Sequence, residues 1–129
     1  MEVRDAVEAD AEALAELVDG PQDVLRNLIH DRTVRVATED DEVVAFVSFD
    51  ARPGTVYVTQ LGGDPEACER LLEEPVRFAE SEGMTVEVLV VARDEDVGAA
   101  VSNHGFEKVG KGPQFDGEPT VRYRREPAE

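Results

Sequence analysis

Reactive side chains are few in this sequence, and most fall at helix ends. Cys68 lies in the first turn of a segment opened by Asp64-Pro65-Glu66. A thiol in that place can have a lowered pKa and act as a nucleophile; the competing account is a buried cysteine serving as a small hydrophobe. His30 closes one helical segment and His104 another, just before Gly105. Imidazole can carry a proton there, or simply face the negative end of the helix dipole as a cap. Arg122, Arg124 and Arg125 form the only basic cluster. Strand alternation sets Arg122 and Arg124 on one face, where carboxylates are their simplest partners. No two His, Cys or acidic residues have convincing metal-ligand spacing, so no metal is expected.

The surroundings of these residues are acidic. Of 129 residues, 30 are Asp or Glu and 13 are Lys or Arg, a formal net charge of -17. Phosphate backbones are bound by clustered Lys and Arg, so nucleic acid is not an expected partner. Eleven of the bases are Arg; Lys108 and Lys111 are the only lysines. Abundant acid with scarce Lys reads as a surface adapted to concentrated salt, where a Debye length of roughly 3 Å at 1 M screens self-repulsion. A merely acidic protein from an ordinary environment is the alternative. The length suits one domain over residues 1–129, and hydrophobic residues at 41% supply its core. No apolar run approaches the roughly 20 residues of a membrane span, and the opening Met1-Glu2-Val3-Arg4-Asp5 lacks a signal-peptide pattern. One cysteine makes no internal disulfide, which fits a cytoplasmic protein.

Patterning places the candidates on elements. Val3 marks an opening strand. Asp10 caps a helix with Leu14, Leu17 and Val18 on its apolar face, ending at Gly20, and Pro21 opens a second helix carrying Val24, Leu25, Leu28 and Ile29. Thr33 to Thr38 and Val43 to Phe49 form a hairpin about Glu39-Asp40-Asp41-Glu42, and Arg52-Pro53-Gly54 leads into a strand from Thr55 to Leu61. A helix from Asp64 to Gly83 carries Cys68, Leu71, Leu72, Val76 and Ala79, with a kink or break expected at Pro75. Thr85 to Ala92 is almost unbroken Val and Leu, the pattern of a strand covered on both faces. Asp94 or Asp96 starts a last helix, followed by strands Phe106 to Val109 and Thr120 to Arg124 around the polar loop Gly110 to Pro119. The order β-αα-βββ-α-β-α-ββ predicts a mixed α/β fold, a sheet of about seven strands with helices on both faces.

That order resembles the GNAT N-acetyltransferase superfamily, as a divergent and haloarchaeal member. Val3-Arg4-Asp5-Ala6 followed by Asp10 is similar to its opening, Leu71-Leu72 with Phe78-Ala79 and Gly83 looks like the helix after its cofactor loop, and His104-Gly105-Phe106-Glu107 resembles its Gly-Phe-Glu signature. The resemblance runs from about Val3 to about Arg124. It implies an acetyl-CoA-dependent transfer of acetyl to an amine by direct attack. The acceptor would be a small molecule or a peptide, and two copies would pair through their C-terminal strands.

In this family acyl-coenzyme A lies where the fourth strand splays from the fifth. That makes Val58 the position for the pantetheine contact. The pyrophosphate sits on a Gly-rich loop at a helix N-terminus, Q/R-x-x-G-x-G/A. Read as a string, Gln60-Leu61-Gly62-Gly63-Asp64-Pro65 offers Gly62 and Gly63 and ends on Pro65, which has no amide hydrogen. Read by length from Val58 to Leu71-Leu72, the two glycines fall on Glu66 and Cys68. Asp64, Glu66 and Glu69 crowd the same helix start, where an ordinary carboxylate cap is the other account. The family's proton-donating Tyr falls on Val101, its helix-start Asn on Asp94, and its β-strand base on Tyr57 or Thr59, so no catalytic residue is assigned. The alternative to an enzyme is a binding or regulatory module on the same fold with a lost pyrophosphate loop.

Overall fold

The computed structural model describes residues 1–114 and 117–127. Twelve elements follow in order: β1 (Glu2–Asp5), a 3-10 turn (Glu8–Asp10), α1 (Ala11–Val18), α2 (Gln22–Asp31), β2 (Thr33–Glu39), β3 (Glu42–Arg52), β4 (Thr55–Gly63), α3 (Pro65–Glu82), β5 (Thr85–Val91), α4 (Glu95–Asn103), β6 (Glu107–Lys111) and β7 (Thr120–Arg125). The seven strands make one sheet in the order β1-β2-β3-β4-β5-β7-β6. Only β4 and β5 run parallel; every other neighbouring pair is antiparallel. The fold is therefore mixed α/β, as the element order predicts. No helix among the described residues is long and apolar enough to cross a membrane.

Apolar periodicity divides the helices between the two faces. α1 and α2 press Ala11, Leu14 and Leu25 onto Val34, Val36 and Phe46 on one side. On the other, Ala67, Cys68, Leu71, Leu72 and Val76 of α3, with Val97 and Val101 of α4, cover Val47, Val56, Val58, Val86 and Val88. Full burial of a Leu or Val side chain contributes about 1.5–3 kcal/mol, so these two layers carry most of the favourable free energy. α3 runs unbroken through Pro75, which merely leaves the Leu71 carbonyl without its helical donor.

Several local expectations are corrected. β5 is not covered on both faces: Val86, Val88 and Val90 are buried, while Thr85, Glu87, Leu89 and Val91 are half-buried. Its apolar run is continuous because the second face looks into a cleft. The left-handed residue after α1 is Asp19, at φ 52°, one position before Gly20; a short polar side chain tolerates that conformation. β6 starts and ends later than Phe106 to Val109, the ladder to β7 shifting register between Lys108 and Gly110. Residues 115 and 116 of the loop Gly110 to Pro119 lie outside the described residues.

Asp10 also works differently from a simple cap. Its side chain makes no cap bond to α1. One oxygen accepts the Val7 N–H at 2.8 Å, and the two together accept both Arg4 guanidinium nitrogens at 2.7 and 3.0 Å. The Arg4 hydrogen bond, outweighing burial, holds the Asp10 carboxyl below the usual carboxylate range. A carboxyl depressed in the folded state contributes its stability above the unfolded-state pKa and loses it as pH falls through the folded one. Asp10→Ala is expected to cost about 1–2 kcal/mol near neutral pH, a value reduced because Arg4 reaches solvent. In thermal melts the gap between parent and variant should narrow below about pH 4; a gap independent of pH would contradict the assignment.

Candidate functional site

The site begins at a defect in the sheet. β4 pairs with β3 as Ser48↔Gln60 on one side of Thr59 and Phe49↔Val58 on the other, so Thr59 is an extra, bulged residue. Its hydroxyl lies 3.0 Å from the Ser48 hydroxyl and donates to the Ser48 carbonyl at 3.3 Å, which fixes the bulge. A bulge bends its strand. The β4–β5 ladder accordingly ends at Val58↔Val88, although β4 continues to Gly63 and β5 to Val91. The backbone of β4 after Val58 and of β5 after Val88 thus faces a gap between two strands that part.

A cavity of about 650 Å³ occupies this gap. β4 lines it with Thr59 to Gly62, β5 with Leu89 and Val91, and the α1–α2 turn with Leu17 to Pro21 and Val24. Arg93, Asp94, Glu118 and Thr120 close the far side. Thr120 is buried and its hydroxyl donates to the Pro113 carbonyl at 2.6 Å, tying down the start of β7. Arg93 Nε donates to Glu118 at 2.9 Å. The floor is apolar, and around it stand Asp19, Asp94 and Glu118 against Arg93, the one lining cation among the described residues. An ammonium group is favoured there.

Gly62 and Gly63 have tight structural roles. A Cβ on Gly62 would stand 2.9 Å from Val18 Cγ1 and 3.4 Å from Phe46 Cε1, so α1 packs directly on its backbone. Gly63 has φ +114°, and a Cβ there would meet the Val44 carbonyl oxygen and the Ala45 Cα. Val58, with its side chain buried in the core, is the last β4 residue paired with β5. These three candidates come together on one strand: Val58 where the gap opens, Gly62 on the cavity wall, and Gly63 where the chain turns into α3.

The helix start beyond them is self-capped. Asp64 Oδ2 accepts the Ala67 N–H at 3.0 Å, Pro65 has no hydrogen to give, and the Cys68 N–H binds the Asp64 carbonyl at 2.8 Å. α4 begins in the same manner, with Asp94 Oδ1 accepting the Val97 N–H at 3.4 Å. The pantetheine arm of an acyl-coenzyme A fits the unpaired β4 backbone. Its pyrophosphate does not fit this helix end, where the capping carboxylate holds the anion position.

The other candidates lie apart from the cavity. Cys68 is fully buried between α3 and the sheet, and burial, with Asp94 and then Asp64 adding negative charge, pushes its thiol up to about 12. It is a core hydrophobe and not a nucleophile. Native protein at pH 8 should leave it unlabelled by iodoacetamide, with complete labelling in urea as judged by mass spectrometry; fast native labelling would contradict the placement. Val101 is buried in the same layer. His104 reaches toward Glu69 at 4.0 Å and His30 toward Glu8 at 3.5 Å, both away from the cleft. Arg122 and Arg124 flank Glu87 at 3.5 and 3.6 Å, and Tyr57 is exposed opposite Glu87. Among the described residues no three His, Cys, Asp or Glu side chains gather to hold a metal. Sequence reasoning missed Asp19, Leu89, Glu118 and Thr120 as wall residues; the unbroken apolar run of β5 was a signal for Leu89 alone.

No family model and no curated protein matches the chain in sequence. Solved structures do match in shape. Ard1 from Thermoplasma volcanium superposes with a TM-score of 0.80 at 14% identity, covering 99% of this chain and 98% of that one. A GNAT-family acetyltransferase from Bacillus cereus gives 0.73 at 15%, over 99% and 98%. The Salmonella typhimurium protein yncA, solved with its cofactor acetyl-CoA, gives 0.73 at 17%, over 100% and 95%. The chain has the fold of the GNAT acetyltransferases.

Proposed function

We propose that this chain is a GNAT-type N-acyltransferase that moves acetyl from acetyl-CoA to an amine by direct attack. The observation that supports it most is the parting of β4 from β5 immediately after Val58↔Val88, with a cavity in the gap. An extended arm can pair there with the free backbone of Thr59 to Leu61 as an added strand would. Bound in that gap, the thioester would supply an activated acyl carbon: the ammonium first gives one proton to water, the neutral amine forms the C–N bond as the C–S bond breaks, and its second proton passes to sulfur, directly or through water.

The chain's own contribution is position and charge. Asp19 and Asp94, the lining carboxylates not paired with Arg93, draw an ammonium into the cleft, and the α1–α2 turn and the buried Thr120 keep its walls fixed. Holding two reactants in line is worth up to about 7–11 kcal/mol of barrier. Val101, at the position of the family's proton-donating Tyr, is buried in the core and has no proton to give. That same substitution, with the self-capped α3, supports a second reading: a binding module that uses the cleft for another small ligand. Incubation with acetyl-CoA and a panel of small amines and peptide N-termini in concentrated KCl, following free thiol, separates the two. Amine-dependent thiol release is the expected outcome; binding without release at any amine favours the module.

A further inference from the structure

We infer that the cleft selects its donor through the uncharged pantetheine arm and leaves the nucleotide of coenzyme A outside, in solvent. This rests on the acyltransferase reading and narrows its donor. The nucleotide end carries about four negative charges near neutrality, its phosphate monoester alone about -1.5 to -2. Such a group is ordinarily met by Arg or Lys, or by free amides at a helix N-terminus. The cleft meets it instead with a cation already paired and with helix starts already capped by carboxylates.

Arg93, its one lining cation among the described residues, is occupied by Glu118 at 2.9 Å. Both helices that begin at its rim are closed by their own carboxylates, Asp64 on Ala67 N–H and Asp94 on Val97 N–H. Glu66 sits in the first turn of α3, and Glu95 and Asp96 in that of α4. Lys108 and Lys111 stand on β6, on the far side of β7 from β5. The same rim that repels a polyphosphate leaves a neutral arm untouched, because amides need only the backbone partners that β4 presents beyond Val58.

Titration with S-acetylpantetheine, acetyl-CoA and 3′,5′-ADP at about 0.5 M and about 2 M KCl tests this. S-acetylpantetheine should bind within about fivefold of acetyl-CoA at the higher salt and tighter than it at the lower, and 3′,5′-ADP should not compete. Glu66→Lys should tighten acetyl-CoA by about fivefold and leave S-acetylpantetheine unchanged. An advantage of more than about fivefold for acetyl-CoA in the parent protein, competition by 3′,5′-ADP, or equal effects of the variant on both donors overturns the inference and leaves the acyltransferase reading standing. Binding of neither thioester overturns both.

Discussion

Gly63→Ala is expected to destabilise the protein by about 2–6 kcal/mol, a large share of the roughly 5–15 kcal/mol that holds a domain folded. Two independent costs meet at this residue. Its φ of +114° is one that L side chains rarely adopt, and forcing it costs about 1–3 kcal/mol. A Cβ would also collide with the Val44 carbonyl oxygen and lie 2.6 Å from Ala45 Cα, which are backbone atoms and cannot swing aside. The approach is that close because β2 and β3 slip register at Val44, turning its carbonyl to accept the Asp64 N–H at 2.9 Å. Gly62→Ala is the control. Its φ is ordinary and its nearest obstacle is the tip of Val18, so about 1–2 kcal/mol is expected. Urea denaturation of the two variants checks the order; equal losses would contradict the account of this turn.

Phe46→Ala is expected to cost about 3–5 kcal/mol. Phe46 is fully buried under α1 and α2 and is the largest side chain of that layer. Its ring also lies against Gly62, so it fixes both α1 on the sheet and the spacing of the cavity wall. Losing it leaves a void that α1, clamped by Leu14 and Leu25, can only partly fill. The variant should therefore lose ligand affinity along with stability, whereas a change on the opposite layer, such as Leu72→Ala, should lose stability alone. Urea titration and calorimetry on both variants read the two effects separately.

The architecture was legible because helical and strand periods do not overlap. Leu14, Leu17 and Val18 against Thr55 to Leu61 leave little room for confusion, and the turn residues Gly54 and Gly83 take the positive φ their places require. The site was legible only in part. Alternation along β4 predicts Val56, Val58 and Gln60 on one face, but the bulge at Thr59 shifts the phase so that Leu61, not Gln60, continues the core. A bulge adds a residue without any marker in the sequence, and it is this residue that opens the gap. Asp19, Glu118 and Thr120 were out of reach for another reason: they join the cleft from segments about 100 residues apart in sequence, and only the sheet order brings them together. The carboxylate cap at Asp64 was fully readable, since Asp-Pro-Glu ahead of an apolar helix has one local meaning.

The central claim is that the backbone freed where β4 leaves β5 receives an acyl thioester. Backbone amide spectra of the isotope-labelled protein, recorded in concentrated KCl during titration with acetyl-CoA, test it most directly. Saturable shifts are expected at Thr59, Gln60, Leu61 and Gly62 together with Leu89 and Val91, and none at His30 or His104. Saturable shifts confined to other residues, or no shifts at millimolar acetyl-CoA, would contradict it.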